Sequence, residues 1–329
     1  MRISFAGGGT EIEPYLSERG GVVLSTTIDR YVQGCLRPET QGGMRLHSLD
    51  GETILVHGRH DIPPQEIRRE LVLAAMKRLG IQGPGFSLLL WSDAPPGSGL
   101  GSSSALVVTV LGLFRQWRGI LLPDRVLAEL AYEIERCELC LPGGKQDQYA
   151  AAFGGFNRIE FTREGTFVTP LHLGAAIMNE LHSSLLLCFT GRTHPEGKIL
   201  GEQMAGYCRR DRTTYDALDA LKEIVRAMER ALREGRLAAF GELLHEAWVN
   251  KRKLAPGITN ERIERLYHIA RRKGALGGKI LGAGGGGHLL VFCPFERRNG
   301  IAAALEEAGG RIVPFDFVGH GLQTWRMVQ

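Results

Sequence analysis

Residues 95–104 read PPGSGLGSSS, and seven of the eight residues 97–104 are Gly or Ser. An apolar run, ALVVTVLGLF, follows directly. Glycine loses more backbone entropy on ordering than any other residue, so such a cluster needs a chemical reason. The first turn of a helix leaves N–H groups unpaired, and its dipole end is positive. Small residues let a phosphate approach that backbone closely. Serine hydroxyls there can also hold Mg²⁺. An ordinary serine N-cap accounts for one serine, not for the whole run. The stretch is therefore expected to cradle a phosphate chain.

Phosphate transfer also needs a metal ligand and a group that orients or deprotonates the acceptor. Two carboxylates flank one glycine turn. Glu135 precedes LPGG (141–144), and Asp147 follows it in GGKQDQYAAAFGG. Each has a plainer reading, a surface helix carboxylate for Glu135 and a helix N-cap for Asp147. Near the start, RISFAGGGTEIEPY sets Gly7–Gly9 beside Arg2, Thr10, Glu11 and Tyr15. Hydroxyls, a carboxylate and an aromatic ring beside exposed backbone suit a polyol or sugar. A plain hairpin turn is the alternative.

Other chemistries lack their patterns. No G-x-x-x-x-G-K-[ST] occurs, which excludes a P-loop ATPase. One G-x-G-x-x-G spans Gly282 to Gly287, but HLLVFC comes after it and reads as a strand. A dinucleotide fingerprint must open a helix. Cys137 and Cys140 form a lone C-x-x-C at helical spacing, with no second pair to make a metal site. The net charge of +4 suits an anionic small molecule and is too weak to argue for nucleic acid. The basic runs 209–212, 251–253 and 271–273 read as solvated helix faces, the last as a cationic final turn before Gly274. No signal peptide and no membrane span are evident, so the cytoplasm is the expected compartment.

These residues must be positioned by a mixed fold. The expected order begins with a strand, a glycine turn, a short helix and a strand pair within 1–35. Further strands follow over 44–58, then a helix over 62–80. FSLLLWSDA (86–94) reads as a buried strand. A buried helix should span 102–117, another 123–139, and a short one 145–153, before a strand from GGFNRIEF. The second half should hold a strand at 183–191, long charged helices at 197–233 and 237–254, and a helix at 259–273. A glycine-rich hairpin, KILGAGGGGHLLVFC, comes next, then a helix at 299–308 and a last strand, RIVPFDF. Without a regular βαβα rhythm the class is α+β. HGRHD (57–61) reads as a loop or strand end.

Together the loops resemble the GHMP kinase superfamily. Pro95 to Ser104 looks like its central ATP loop, LGAGGGGHLL (281–290) like its C-terminal glycine loop, and RISFAGGGTEIEPY like its first motif. Within the superfamily the chain is most similar to the D-glycero-D-manno-heptose 7-phosphate kinase group, through Ala6–Thr10, GGVVLSTTID (20–29), 143–157 and 277–287. The resemblance implies a ribosomal-protein-S5-domain-2-like N-terminal domain (1–170) and a ferredoxin-like C-terminal domain (171–329). It implies ATP and Mg²⁺, with Pro96, Gly97, Ser98, Gly99, Leu100, Gly101, Ser102, Ser103 and Ser104 on the nucleotide. It also implies Ser103 and Glu135 on Mg²⁺, and Asp147 and Arg2 in catalysis. Gly8, Gly9, Thr10, Glu11, Tyr15, Lys145, Gly284 and Gly285 would line the sugar side. The partner is then a small sugar or sugar phosphate, with no nucleic acid or membrane, and a homodimer is an option.

Three departures stand out. Glu11 replaces the usual Asp of GGGTD, TGRTHPEGKIL (190–200) keeps only TGR, and Arg2 is nearly terminal, so the start is short or the first strand clipped. Arg192, Lys198, Lys251 and Lys279 are candidate cations for a distal phosphate. An unphosphorylated sugar such as fucose is the alternative acceptor, and a nucleotide-binding regulator the non-enzyme alternative.

Overall fold

The alternating and helical patterns of the chain resolve into thirteen strands and eleven α-helices over the described residues, 1–40, 43–48, 53–56, 67–82, 85–193 and 196–327 of a computed structural model. The first half runs β1 (Arg2–Ala6), α1 (Tyr15–Arg19), β2 (Gly21–Ile28), β3 (Val32–Pro38), β4 (Met44–Ser48), β5 (Thr53–Val56), α2 (Ile67–Arg78) and β6 (Phe86–Ser92). It continues with α3 (Ser102–Arg118), α4 (Asp124–Tyr132), a π-turn (Glu133–Glu138), α5 (Gln146–Phe153), β7 (Asn157–Thr162) and β8 (Gly165–Pro170). The second half holds α6 (Ala175–Ser184), β9 (Leu185–Phe189), α7 (Glu196–Cys208), α8 (Arg212–Arg233), α9 (Leu237–Lys251), α10 (Glu261–Arg272), β10 (Gly277–Ile280), β11 (His288–Phe292), α11 (Arg298–Glu307), β12 (Arg311–Ile312) and β13 (Phe317–Val318). HGRHD and the predicted helix start at 62–66 lie outside the described residues.

Three sheets result. Their orders are β1-β2-β7-β8 with β13 also on β2, then β3-β6-β4-β5, then β10-β11-β9-β12. Only β4 with β6 is parallel among the described pairings. This is the α+β arrangement that the irregular element order predicted. One apolar cluster joins Phe5, Leu187, Phe240, Trp248 and Leu289 under α8 and α9. A second joins Val107, Leu111, Phe114, Ala131, Ile134 and Tyr149 around α3, α4 and α5. α3 is buried on most faces, so its N-terminus is held rigidly.

Several expectations change. The strands read from GGVVLSTTIDRYVQG do not pair with each other. β2 joins β1 and β7, while Tyr31 pairs its backbone with Asp93 and starts the β3–β6 ladder. β6 is half-buried rather than buried, because alternate residues leave the core and Leu89 and Trp91 are exposed. The helix expected over 197–233 breaks at 209–211, where Arg210 has φ 55° and Asp211 caps α8 by accepting from the Thr214 amide at 2.9 Å. That basic run is therefore a helix junction, not a helix face. RIVPFDF splits in two. Pro314 lacks an N–H, β12 joins β9, and β13 returns to β2 in the first half's sheet.

Candidate active site

The loop before α3 makes three left-handed turns, at Gly97 (φ 71°), Gly99 (φ 79°) and Gly101 (φ 74°). Gly101 itself is the N-cap of α3, and no side chain caps that end. The serines are therefore not ordinary caps. The first-turn amides keep their dipole end for an anion. Pro96 is exposed and Gly97 half-buried, while Ser98, Gly99, Leu100, Ser102 and Ser104 are buried. Those buried residues shape the loop from within.

β1 and α5 meet against this loop. The Arg2 guanidinium forks onto Asp147, Nε to Oδ1 at 2.8 Å and a terminal nitrogen to Oδ2 at 3.0 Å. Arg2 also donates to the Gly99 carbonyl through its side chain and to the Leu100 carbonyl through its amide at 3.0 Å. A side chain at position 101 would sit a tight 3.1 Å from the Asp147 carboxylate, and at φ 74° it would also strain the backbone, so glycine suits this close approach. Asp147 keeps 18% of its side chain exposed. Two of its roughly four lone-pair sites are taken by Arg2, which leaves accepting capacity on a partly exposed carboxylate. A hydroxyl there would be oriented by a carboxylate and lie beside a fixed cation.

Glu135 is fully buried. It lies on the π-turn that ends α4, a register change that often marks a functional site. The Ser103 hydroxyl donates to its Oε1 at 2.8 Å, and Gln148 Nε2 donates to its Oε2 at 2.6 Å. Arg136 stands 3.9 Å from Oε2. Among the described residues no three His, Cys, Asp or Glu side chains form a metal cluster. A hydroxyl and a carboxylate beside an uncapped helix end still fit Mg²⁺, which is bound by few protein oxygens when phosphates supply others.

The sugar-side candidates separate. Glu11 is buried beside Asp147's neighbour. It accepts from the Gly9 amide at 2.7 Å and from Gln146 Nε2 at 2.5 Å, and burial pushes its carboxyl above the ordinary value. Gly8 is the half-buried residue of this loop, near both Ser4 and Gln146. Thr10 is not free for a sugar. Its hydroxyl donates to Gly7 and Val22 carbonyls and accepts from the Val22 amide, so it staples the loop to β2. The Tyr15 hydroxyl donates to Asp219 at 2.6 Å, not into the Asp147 cluster. Lys145 is spent on Glu129 at 2.7 Å, and its ammonium lies over the Tyr132 ring.

Gly284 and Gly285 pack inward too. A side chain at 284 would lie 2.7 Å from the Ile258 carbonyl, and the Gly285 amide donates to that carbonyl at 2.9 Å. The hairpin is as predicted, with β10 against β11 and the glycines between. It braces the glycine loop before α3. Gly287 abuts the Ser98 carbonyl, and His288 Nδ1 lies 2.8 Å from the same oxygen. Lys251 is buried, not on a solvated face, and donates to the Ile280 and Gly282 carbonyls. Lys279 is buried as well and donates to the Ser4 carbonyl at 2.7 Å, which ties β10 to β1. Arg192 and Lys198 are exposed. Cys137 and Cys140 are exposed free thiols. Local pattern does not single out Gln146, Gln148, His288 or Lys279 for these roles. Their motifs are visible in the sequence, but their contacts join segments far apart in the chain.

Residues 68–155 match the family pattern of the GHMP kinases N terminal domain, and residues 228–311 that of the GHMP kinases C terminal. A D-glycero-alpha-D-manno-heptose 7-phosphate kinase of Campylobacter jejuni is 33% identical over 99% of this chain and 97% of its own. A bifunctional fucokinase/GDP-fucose pyrophosphorylase of Arabidopsis thaliana is 26% identical over 93% of this chain and 30% of its own. The crystal structure of a D-glycero-D-manno-heptose 1-phosphate kinase from Bacteroides thetaiotaomicron superposes with a TM-score of 0.82 at 30% identity, covering 100% of this chain and 98% of that one. No described helix is long and apolar enough to cross a membrane.

Proposed function

The chain belongs to the GHMP kinases, and from that premise we propose that it transfers the γ-phosphoryl group of ATP to the anomeric hydroxyl of D-glycero-D-manno-heptose 7-phosphate, giving the 1,7-bisphosphate. The observation that carries the chemistry is the Arg2–Asp147 fork held 3.1 Å from where a Gly101 side chain would begin. A carboxylate beside an uncapped helix end supports the reading of Asp147 as the group that orients the acceptor. In this reading the loop 96–104 holds the β- and γ-phosphates on the α3 amides. Ser103 and Glu135 would hold Mg²⁺, which when bound would neutralise charge on the phosphates. Asp147 orients the sugar hydroxyl and takes its proton. Arg2 keeps that carboxylate aimed and offsets the negative charge that develops. Residues 1–170 bring the nucleotide and acceptor loops, and 171–329 brace them.

The heptose assignment leans on the Campylobacter relative. The names of the two heptose kinases put the substrate's existing phosphate at different carbons, 7 and 1. The Arabidopsis relative favours a second reading, a free sugar such as fucose. ADP release with Mg·ATP tests all of these together. The acceptors are heptose 7-phosphate, heptose 1-phosphate, and heptose, mannose and fucose without phosphate. Turnover confined to the 7-phosphate, with a product doubly phosphorylated at C1 and C7, is expected. Turnover on a free sugar moves the acceptor to the second reading, and ATP binding without turnover on any of them defeats both.

A further inference from the structure

We infer that α7 and α8 grip the acceptor loop at both its ends, with Asp219 as the positioning residue. The inference rests on the reading of residues 8–11 as the acceptor side. At one end Gln203 of α7, itself buried, donates to the Gly9 carbonyl at 3.4 Å. It lies so close that a side chain at Gly9 would meet its amide at 2.6 Å. At the other end the Asp219 carboxylate of α8 takes two donors from α1. Tyr15, only 1% exposed, donates its hydroxyl to Oδ1 at 2.6 Å, and Arg19 pairs with Oδ2. Lys222 Nζ donates to the Arg19 carbonyl at 2.6 Å, and the Tyr207 hydroxyl donates to Glu18. Aromatic packing fills the space between them. Tyr15 meets Tyr207 edge-on at 5.6 Å, and Tyr207 stacks on Tyr215 at 4.4 Å.

Between these two anchors runs the segment that reaches the chemistry. Glu11 bonds the Gly9 amide and Gln146, and Gln146 is the residue before Asp147. A shift of α1 is therefore passed to the carboxylate that orients the acceptor. The phosphate loop has a different set of anchors, Arg2, Gly287 and His288. The exposed Arg19–Asp219 pair alone contributes little. The buried Tyr15 hydroxyl is different, because losing its acceptor leaves a desolvated donor.

The two substrates should therefore respond separately. Steady-state kinetics with the full chain, heptose 7-phosphate and Mg·ATP would read this. Asp219→Ala is expected to raise the acceptor KM about 10-fold, since small misplacements near the reacting atoms are costly. The ATP KM should stay within about twofold. Tyr15→Phe, which removes the donor itself and leaves nothing unpaired, should have a smaller effect than Asp219→Ala, and Asp219→Asn, which keeps a carbonyl for the Tyr15 hydroxyl, should rescue most of the loss. Amide hydrogen exchange gives a readout free of substrate. Exchange over residues 9–19 should quicken in Asp219→Ala while residues 97–110 stay protected. Equal rises in both KM values, an Asn variant as poor as Ala, or unchanged exchange over 9–19 would each overturn the inference. If the wild type ignores heptose 7-phosphate, the acceptor reading falls and the exchange experiment still decides the grip.

Discussion

Two glycine loops meet in this molecule, and they do opposite things. Residues 97–101 and 282–287 have similar composition and several left-handed turns each. The first ends in a helix whose opening amides have no side-chain cap. The second joins two antiparallel strands, and its backbone is spent on neighbours. Gly285 bonds Ile258, Gly287 bonds Arg192, and Gly284 and Gly286 would clash with carbonyls if they carried side chains. Glycine in the second loop admits other backbone, as Gly99 does where it meets Leu281, but the first loop also opens a helix end that no side chain caps. The element that the glycines lead into, a helix or a strand, decides between the two.

The largest test lies at the open loop. Asp147→Asn should cut turnover by at least ~10²-fold, the low end of proton-transfer contributions, with ADP release as the measurement. Near-normal turnover would remove Asp147 from the chemistry and leave the open loop as a binding feature alone. Next, the contact between the loops can be broken from either side. A side chain at Gly99 would lie 2.5 Å from the Leu281 carbonyl, and one at Gly287 would lie 2.4 Å from the Ser98 carbonyl. Both residues also have positive φ. Gly99→Ala and Gly287→Ala should each cost about 1–3 kcal/mol in backbone strain before any clash is counted. Both should raise the ATP KM, although only one lies in the nucleotide loop. A Gly287 variant that melts early but binds ATP normally would separate brace from site. Gly119→Ala sharpens the contrast. That glycine has φ 64° and nothing within 4 Å, so it should lose about 1 kcal/mol from strain alone, in denaturant melts, with kinetics unchanged.

The smallest expected effect concerns Lys279, on the strand that enters the closed loop. Burial, with Lys251 and Arg2 nearby, holds its ammonium well below the usual 10.5. The unfolded chain then binds a proton that the folded chain does not, between the depressed value and 10.5. Stability rises with pH through that window and is lost as pH falls. Lys279→Met should flatten this slope in melts run at several pH values. An unchanged slope would mean that Lys279 stays charged in the fold.

Much of the site could be read from types and spacing. The helix after PPGSGLGSSS, the strand after GAGGGG and the carboxylates on either side of LPGG all come from local pattern. A run of residues carries its own periodicity, and glycine and proline mark its ends. Misreadings arise where local pattern says nothing of partners. FSLLLWS reads as a buried strand, yet only alternate side chains reach the core. Lys251 sits in a basic run yet is buried under two carbonyls.

By itself, then, the amino-acid order determined the elements, the glycine-led helix end without a side-chain cap and the short list of groups with chemistry suited to orienting an acceptor. The tertiary structure alone decided which of those groups remain free. Thr10, Tyr15 and Lys145 had suitable chemistry but are consumed by Val22, Asp219 and Glu129. Gln148, His288 and Lys279 gained roles through partners elsewhere in the fold. The physical reason is that a polar side chain's role is set by the hydrogen bonds it makes when desolvated. Those partners lie 145 residues apart for Arg2 and Asp147, 204 for Tyr15 and Asp219, and 275 for Ser4 and Lys279.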